Sequence, residues 1–461
     1  MATHRADRVI HGTRIVFEHG LGSGAIAVTD GKITGIADGP EHFDAQAVLD
    51  AGDRVVLPGL VDEHAHVWEP GPNAHREDWT TGTMTAASGG ITTIIEMAQG
   101  VPPAIDVAGF NNKRRIAERK SVIDFALWGG CVSNTPDDIT GLKAAGCTAY
   151  KVFTAWFGKE YASLTDYELL RAMEKVAAVG GVMGIHCENS ALTDGFEKRL
   201  AAEGNFTGSA HEKARPEIAE IEAISRVLLF ARHTRCRVLI LHLATPNAWP
   251  VIAQARHDGV EVWVETCAHY LTMNTDDLDR LHGFAKCAPP IRSEACRQGL
   301  WQMVNDGRID TLASDHFPFT DDDRLKHGTN IFAIPSGMPG FDTLLPSLVN
   351  EGIHRQGLSW ERLAQLASTN PAKIHGLYPQ KGAIRLGADA DLVLVDPDET
   401  WTYSFKSSYI KAKMQHGPYE GRAFRGRVKE TMVRGQTVYV DHEIRQEPGF
   451  GRFVAPGGTV R

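Results

Sequence analysis

A (β/α)8 TIM barrel carrying a small β-sandwich domain built from both chain ends is the fold the sequence predicts, an α/β class, and three observations predict it. Between residues 56 and 380, eight short apolar runs alternate with helical stretches, and eight parallel strands close a barrel. The two chain ends share another texture, alternating apolar and polar positions cut by glycine turns. No G-x-G-x-x-G turn follows the first run, which disfavours the doubly wound open sheet that the same alternation allows.

In chain order, RVIHGTRIVF, GAIAVTDGKITGIADG and AQAVLDAGDRVVLPG read as short antiparallel strands between turns. The eight middle runs follow: GLVDEHAH, GGITTIIEM, SVIDFALWGG, CTAYKVFT, GVMGIHCEN, CRVLILHLAT, VEVWVETCAHYL and RIDTLASDH, each succeeded by a helix or long loop. GAIRLGADADLVLVDP and RGRVKETMVRGQTVYVDHEI then return to Gly-punctuated strands. The expected division is a composite β-sandwich domain over residues 1–55 plus 381–445, a catalytic barrel over 56–380, and a C-terminal tail over 446–461.

Composition excludes several function classes. With 43% hydrophobic and 23% charged residues the 461-residue chain is an ordinary globular protein with ample core. A net charge of −9 without a Lys/Arg cluster leaves no footprint for nucleic acid or anionic membranes. The N-terminal MATHRADRVIHGTRIVF has no apolar signal core, and apolar runs such as residues 238–241 are too short to span a bilayer, so a cytoplasmic protein is expected. Seven cysteines stand singly without a CxxC pair and read as reduced, packed thiols.

A barrel demands its chemistry at the C-terminal ends of its strands. His64 and His66 close the first run, Lys151 lies late in the fourth, His186 ends the fifth, His242 the sixth and Asp315 the eighth. Residues two apart on a strand share a face, so His64 and His66 can grip one ion. That pair alone carries little, since 20 histidines in 461 residues give about one H-x-H by chance. A lone His242 reads most simply as a hydrogen-bonded core imidazole. Convergence of five runs on one barrel mouth is what favours a metal site. Lys151 is the most informative residue, because an ammonium in an apolar strand is costly unless paired or neutralised. A salt bridge is one solution. The other is a carbamate formed with carbon dioxide by an amine whose pKa burial has lowered, giving an anion whose two oxygens bridge two cations. Four imidazoles, one carboxylate and that bridge suit two zinc ions, and iron or manganese as well.

PGLVDEHAHVWEPG, the GGITTIIEM segment from Gly89, YKVF, GIHCEN, LILHLAT, KCAPPIR and LASDH together resemble the cyclic amidohydrolases, the branch of hydantoinases, allantoinases and dihydropyrimidinases, over nearly the whole chain. The resemblance implies that His64, His66, Lys151 and Asp315 hold one metal and that Lys151, as N6-carboxylysine, His186 and His242 hold the other. It also implies a small cyclic amide substrate and a homotetramer. The expected chemistry is hydrolytic ring opening by a hydroxide bridging the metals. Asp315 is the expected general base and then general acid, or a ligand alone, and both roles are compatible.

Departures from the family pattern bear on the substrate. Dihydroorotases carry an Arg two residues after the H-x-H pair, where this chain has Trp68. Trp156 stands where a Tyr of some hydantoinases donates to the oxyanion; its indole N–H is either a substitute donor or part of the pocket wall. Ala288 and Pro339 fall where relatives offer backbone groups to the substrate amide, and Pro339 has no N–H. Trp68, Trp156, Phe157, Phe317 and Phe319 all fall in loops at the expected mouth, which points to a substrate with an apolar or aromatic group rather than allantoin's ureido tail. Allantoinase remains the alternative: EPG, TGT at 81–83 and HCEN look allantoinase-like, while PQKG from Pro379 and GFGRFV from Gly449 look hydantoinase-like. A non-catalytic scaffold that has lost its metals is a further alternative, against which all six ligand positions are filled. Phosphotriesterase-like enzymes fit the motif order poorly, and mononuclear deaminases lack the bridging lysine.

Overall fold

The computed structural model describes residues 4–132, 138–155, 161–412 and 414–457. Each sequence run supplies one position of a parallel ring: Leu60–Ala65, Ile91–Glu96, Asp124–Leu127 continued by Gly129–Gly130, Tyr150–Phe153, Val182–His186, Arg237–Ile240, Val262–Cys267 and Thr311–Ala313. The first three positions form one parallel sheet, and Gly129–Gly130 onward form a second in sequence order. Ala65 closes the ring by a parallel bridge to His316, where the His66 N–H donates to the His316 carbonyl at 2.8 Å. Every position of Ile91–Glu96 and Val182–His186 is buried, as expected of strands covered by helices outside and side chains inside.

Two glycines make the barrel interior possible. A side chain at Gly184 would collide with the Trp128 indole, which fills the barrel and donates to the Glu63 carbonyl at 2.8 Å. One at Gly130 would collide with the Tyr161 hydroxyl. Outside, the helix Trp79–Ser88 starts at a capping box in which Asp78 accepts the Thr81 N–H at 2.9 Å. The helix Glu217–Thr234 buries Ala223, Ile224, Val227, Leu228 and Ala231 on one stripe.

The chain ends meet in one nine-stranded, mostly antiparallel sheet. Val55–Pro58 pairs antiparallel with Leu392–Thr402, joining the two ends, and runs on through Gly59 into the first barrel strand. The sheet curls, so that Val28 packs on the Gly435 turn and Ile10, Ile26, Val56, Leu392, Leu394 and Met432 share one core. Two features differ from the short antiparallel strands expected. His4–Phe17 is a single 14-residue strand, and it pairs in parallel with Phe43–Asp50 and with Val55–Pro58. Period-two patterning reports which face is buried, not the direction of the neighbour, so this could not be read.

The C-terminal tail docks against the barrel: the Val454 N–H donates to the Phe125 carbonyl at 2.8 Å, and Phe453 packs on Phe110 and Phe125. All seven cysteines are free and buried, matching the sequence reading. Among the described residues no helix is long and apolar enough to cross a membrane.

Candidate active site

His64, His66, Lys151, His186, His242 and Asp315 all line one pocket at the C-terminal end of the ring, open to solvent. Asp315 Oδ1 lies 3.3 Å from His64 Nε2 and 3.2 Å from His66 Nε2. His186 Nδ1 and His242 Nε2 approach to 3.0 Å. Lys151 is buried, its Nζ 4.8 Å from the centre of the Phe153 ring, and among the described residues no ion pair involves it. The salt bridge that would have explained this lysine most simply is therefore missing from the described residues.

Two candidate ligands have unusual backbones. His242 has φ of 37° and Asp315 of 46°, in the left-handed region that non-glycine residues seldom adopt and that clusters at functional sites. Each lies just past its strand, so the turn aims the side chain back over the barrel mouth.

Buried carboxylates set the imidazoles. Glu265 meets His64 Nδ1 at 2.8 Å and accepts the His242 N–H at 2.8 Å. Glu188 meets His186 Nε2 at 2.7 Å and is itself held by Arg215 at 2.5 Å. Each carboxylate takes the outer N–H and leaves the inner nitrogen's lone pair facing its neighbours. Burial lowers all four histidines, His64 and His242 furthest, with Lys151 adding repulsion. Burial alone would raise Asp315, but His64 and His66 outweigh it and hold the carboxyl well below the usual range. Burial brings the Lys151 ammonium down to about 8.

This donor set fits divalent ions. His64, His66 and Asp315 each place one ligand atom within 4.8 Å of the others, and neutral imidazoles with an ionised carboxylate are lone-pair donors converging on a site short of protons.

The other expected residues divide. Phe317 and Ala288 line the pocket, and the Phe317 ring packs against His66, tilted by 41° with ring centres 4.4 Å apart. Trp68 stands behind Phe317, stacked at 4.4 Å, with its indole N–H donated to the Pro318 carbonyl at 2.6 Å. Pro339 is buried beside the wall, which Ser336 and Gly337 form instead. Trp156 and Phe157 lie outside the described residues. Sequence reading missed Gln99, Tyr161 and Cys287 on the pocket wall, and Glu188 and Glu265 behind it. Glu265 carried a usable signal, a carboxylate inside an apolar strand, the same anomaly that marked Lys151.

Known proteins agree with this architecture. The amidohydrolase family model matches residues 55–438. An L-hydantoinase of Paenarthrobacter aurescens is 34% identical over 449 residues, covering 97% of this chain and 98% of that protein. An allantoinase of Enterococcus faecalis is 35% identical over 460 residues, covering 98% and 99%. Among solved structures, the L-hydantoinase (dihydropyrimidinase) from Arthrobacter aurescens superposes with a TM-score of 0.94 at 33% identity, covering 98% of this chain and all of that one. A D-hydantoinase from Thermus sp. gives 0.90 at 27%, with the same coverage. The chain belongs to the amidohydrolase family, in the cyclic amidohydrolase branch that holds hydantoinases and allantoinases.

Proposed function

We propose that this chain opens a hydantoin, cyclic ureide or cyclic imide ring by hydrolysing its amide C–N bond, in a site built for two divalent metal ions. The hydrolase class itself follows from the family and from relatives named hydantoinase and allantoinase. The convergence of His64, His66, Lys151, His186, His242 and Asp315 on one pocket carries the finer reading. His64, His66 and Asp315 would hold one ion and His186 and His242 the other, with Lys151, carboxylated by carbon dioxide, shared between them. Zinc suits this donor set best, and iron or manganese would also be accepted. Such ions, when bound, supply Lewis acidity for the scissile carbonyl and for the attacking water.

The chain's own residues do the rest. Asp315, ionised at rest, accepts the proton of the attacking water and hands it to the leaving ring nitrogen. Glu265 and Glu188 hold the imidazole planes of His64 and His186. Phe153, Ala288 and Phe317 give the pocket an apolar wall, which supports a ring bearing an apolar or aromatic substituent. Trp68 backs that wall through Phe317, and Pro339 is buried two residues beyond Gly337. The same reading divides the chain into a catalytic barrel over 56–380, a composite end-sheet domain over 1–55 plus 381–445, and a tail over 446–461, assembled as a homotetramer.

Relatives named allantoinase at 35% identity and above favour allantoin as the second reading. Rates on aryl-substituted hydantoins, cyclic imides, dihydropyrimidines and allantoin decide between them. Faster turnover of an aryl-substituted ring is expected; equal or better turnover of allantoin would overturn the apolar-substituent reading, and turnover of none would overturn the hydrolase.

A further inference from the structure

Once the six candidate ligands are set aside, few side chains on the pocket wall keep hydrogen-bonding capacity. The Tyr161 hydroxyl is spent on the Lys151 carbonyl at 2.9 Å and the Cys287 thiol on the Pro289 carbonyl at 3.2 Å. Phe153, Ala288 and Phe317 have no polar side-chain atom. Among the described residues Gln99 and Ser336 remain. Gln99 is the more unusual, because its Oε1 is buried without a hydrogen-bond partner. An unmet acceptor of that kind is costly in a closed protein and is kept where something else meets it.

The residue is also held in place. Lys113, fully buried, donates to the Gln99 carbonyl, to the Met97 carbonyl at 2.7 Å and to Glu96 at 2.6 Å. Glu96 in turn accepts the Val67 N–H at 3.1 Å, one residue past His66. The loop after the second barrel strand is thus tied to the strand that carries His64 and His66. A carboxamide mounted on such a loop has one acceptor and two donors in a fixed plane.

We infer that Gln99 is a specificity-determining residue that binds the uncut edge of the substrate ring, its carboxamide pairing with a ring N–H and the adjacent carbonyl. The cis-amide edge of a small ring presents these two groups side by side, which is the complement of a primary amide. This rests on the ring-opening reading above and narrows it. Cyclic ureides have a second N–H beside a carbonyl that is not hydrolysed, whereas simple lactams and cyclic imides do not. Ring nitrogen methylation blocks the pairing without touching the scissile bond.

The test compares hydantoin with its analogue methylated on the ring nitrogen remote from the scissile carbonyl, using the metal-loaded protein and its Gln99→Leu and Gln99→Glu variants. Specificity constants are measured, with dissociation constants by calorimetry wherever turnover is absent. In the parent, methylation is expected to lower kcat/KM about tenfold, the loss of one or two hydrogen bonds. In Gln99→Leu the penalty disappears because the unmethylated ring falls to the level of the methylated one. Gln99→Glu keeps the acceptor that the ring N–H meets and loses the donor to the ring carbonyl, so the methylation penalty is expected to persist there while kcat/KM for both rings falls. An equal penalty in parent and Gln99→Leu, or no penalty in the parent, overturns the inference. Hydrolysis of neither ring with the Gln99-dependent binding ratio intact overturns the ring-opening reading instead.

Discussion

Lys151 is the residue on which the site turns. Its ammonium is buried in an apolar strand with no ion pair among the described residues, and burial has brought it down to about 8, within reach of a neutral amine. Lys151→Ala is expected to lose metal and, by on the order of a thousandfold or more, activity, with partial return of both on adding a short carboxylic acid that can replace the bridge. Elemental analysis of the variant with and without propionate reads this directly. Asp315→Asn removes the proposed proton carrier and should cost about 10²–10⁴ in kcat, with a smaller change in KM, read from steady-state rates. His64, His66, His186, His242 and Asp315 were legible in the sequence because a barrel fixes where strand ends go. Which imidazole Glu265 backs is not legible, since His64 lies 201 residues away in the chain, whereas Glu188 stands two residues after His186, a pairing open to a local reading. Trp68 was expected to face substrate from its loop position; its N–H is instead spent on Pro318, a tertiary contact that no local pattern encodes.

At the scale of elements, short strands deliver the candidate ligands and longer loops complete the wall. The loop carrying Ser336 and Gly337 is fastened by Arg324, which donates to the Gly283 and Gly337 carbonyls, and by Lys286, which donates to the Ile334 carbonyl at 2.5 Å. Arg324→Met should therefore raise KM several-fold while leaving metal content unchanged, which parallel kinetic and elemental measurements would show. The end sheet is tied to the barrel by Lys381, fully buried, at 2.5 Å from Asp124, 2.7 Å from Asp391 and 3.0 Å from Asp389. Three buried carboxylates around one ammonium lose much of their compensation in Lys381→Met, for which about 3–5 kcal/mol of destabilisation is expected in urea unfolding. The eight barrel runs were legible as strands because apolar runs and turn signals repeat with helices between them. The third is interrupted at Trp128, and the end sheet joins parallel and antiparallel neighbours, because strand direction is decided by the path of the chain and not by its local pattern.

Across the whole molecule, barrel, end sheet and tail support one pocket. The first barrel strand continues directly from the end sheet, and the tail binds the start of the third through the Arg452 N–H, which donates to Asp124 at 2.9 Å. A site whose donors are held this rigidly should couple metal binding to folding, so stripping the ions with chelator is expected to lower Tm by several degrees and restoring them to return it. The central claim is that ring opening depends on two ions held by these six residues. Counting divalent ions per chain in protein purified without chelator, with the rate of hydantoin ring opening followed as they are removed and restored, tests it most directly. Two ions per chain, with hydrolysis lost and regained in step, is the result predicted. Fewer than one ion per chain with hydrolysis intact would contradict it.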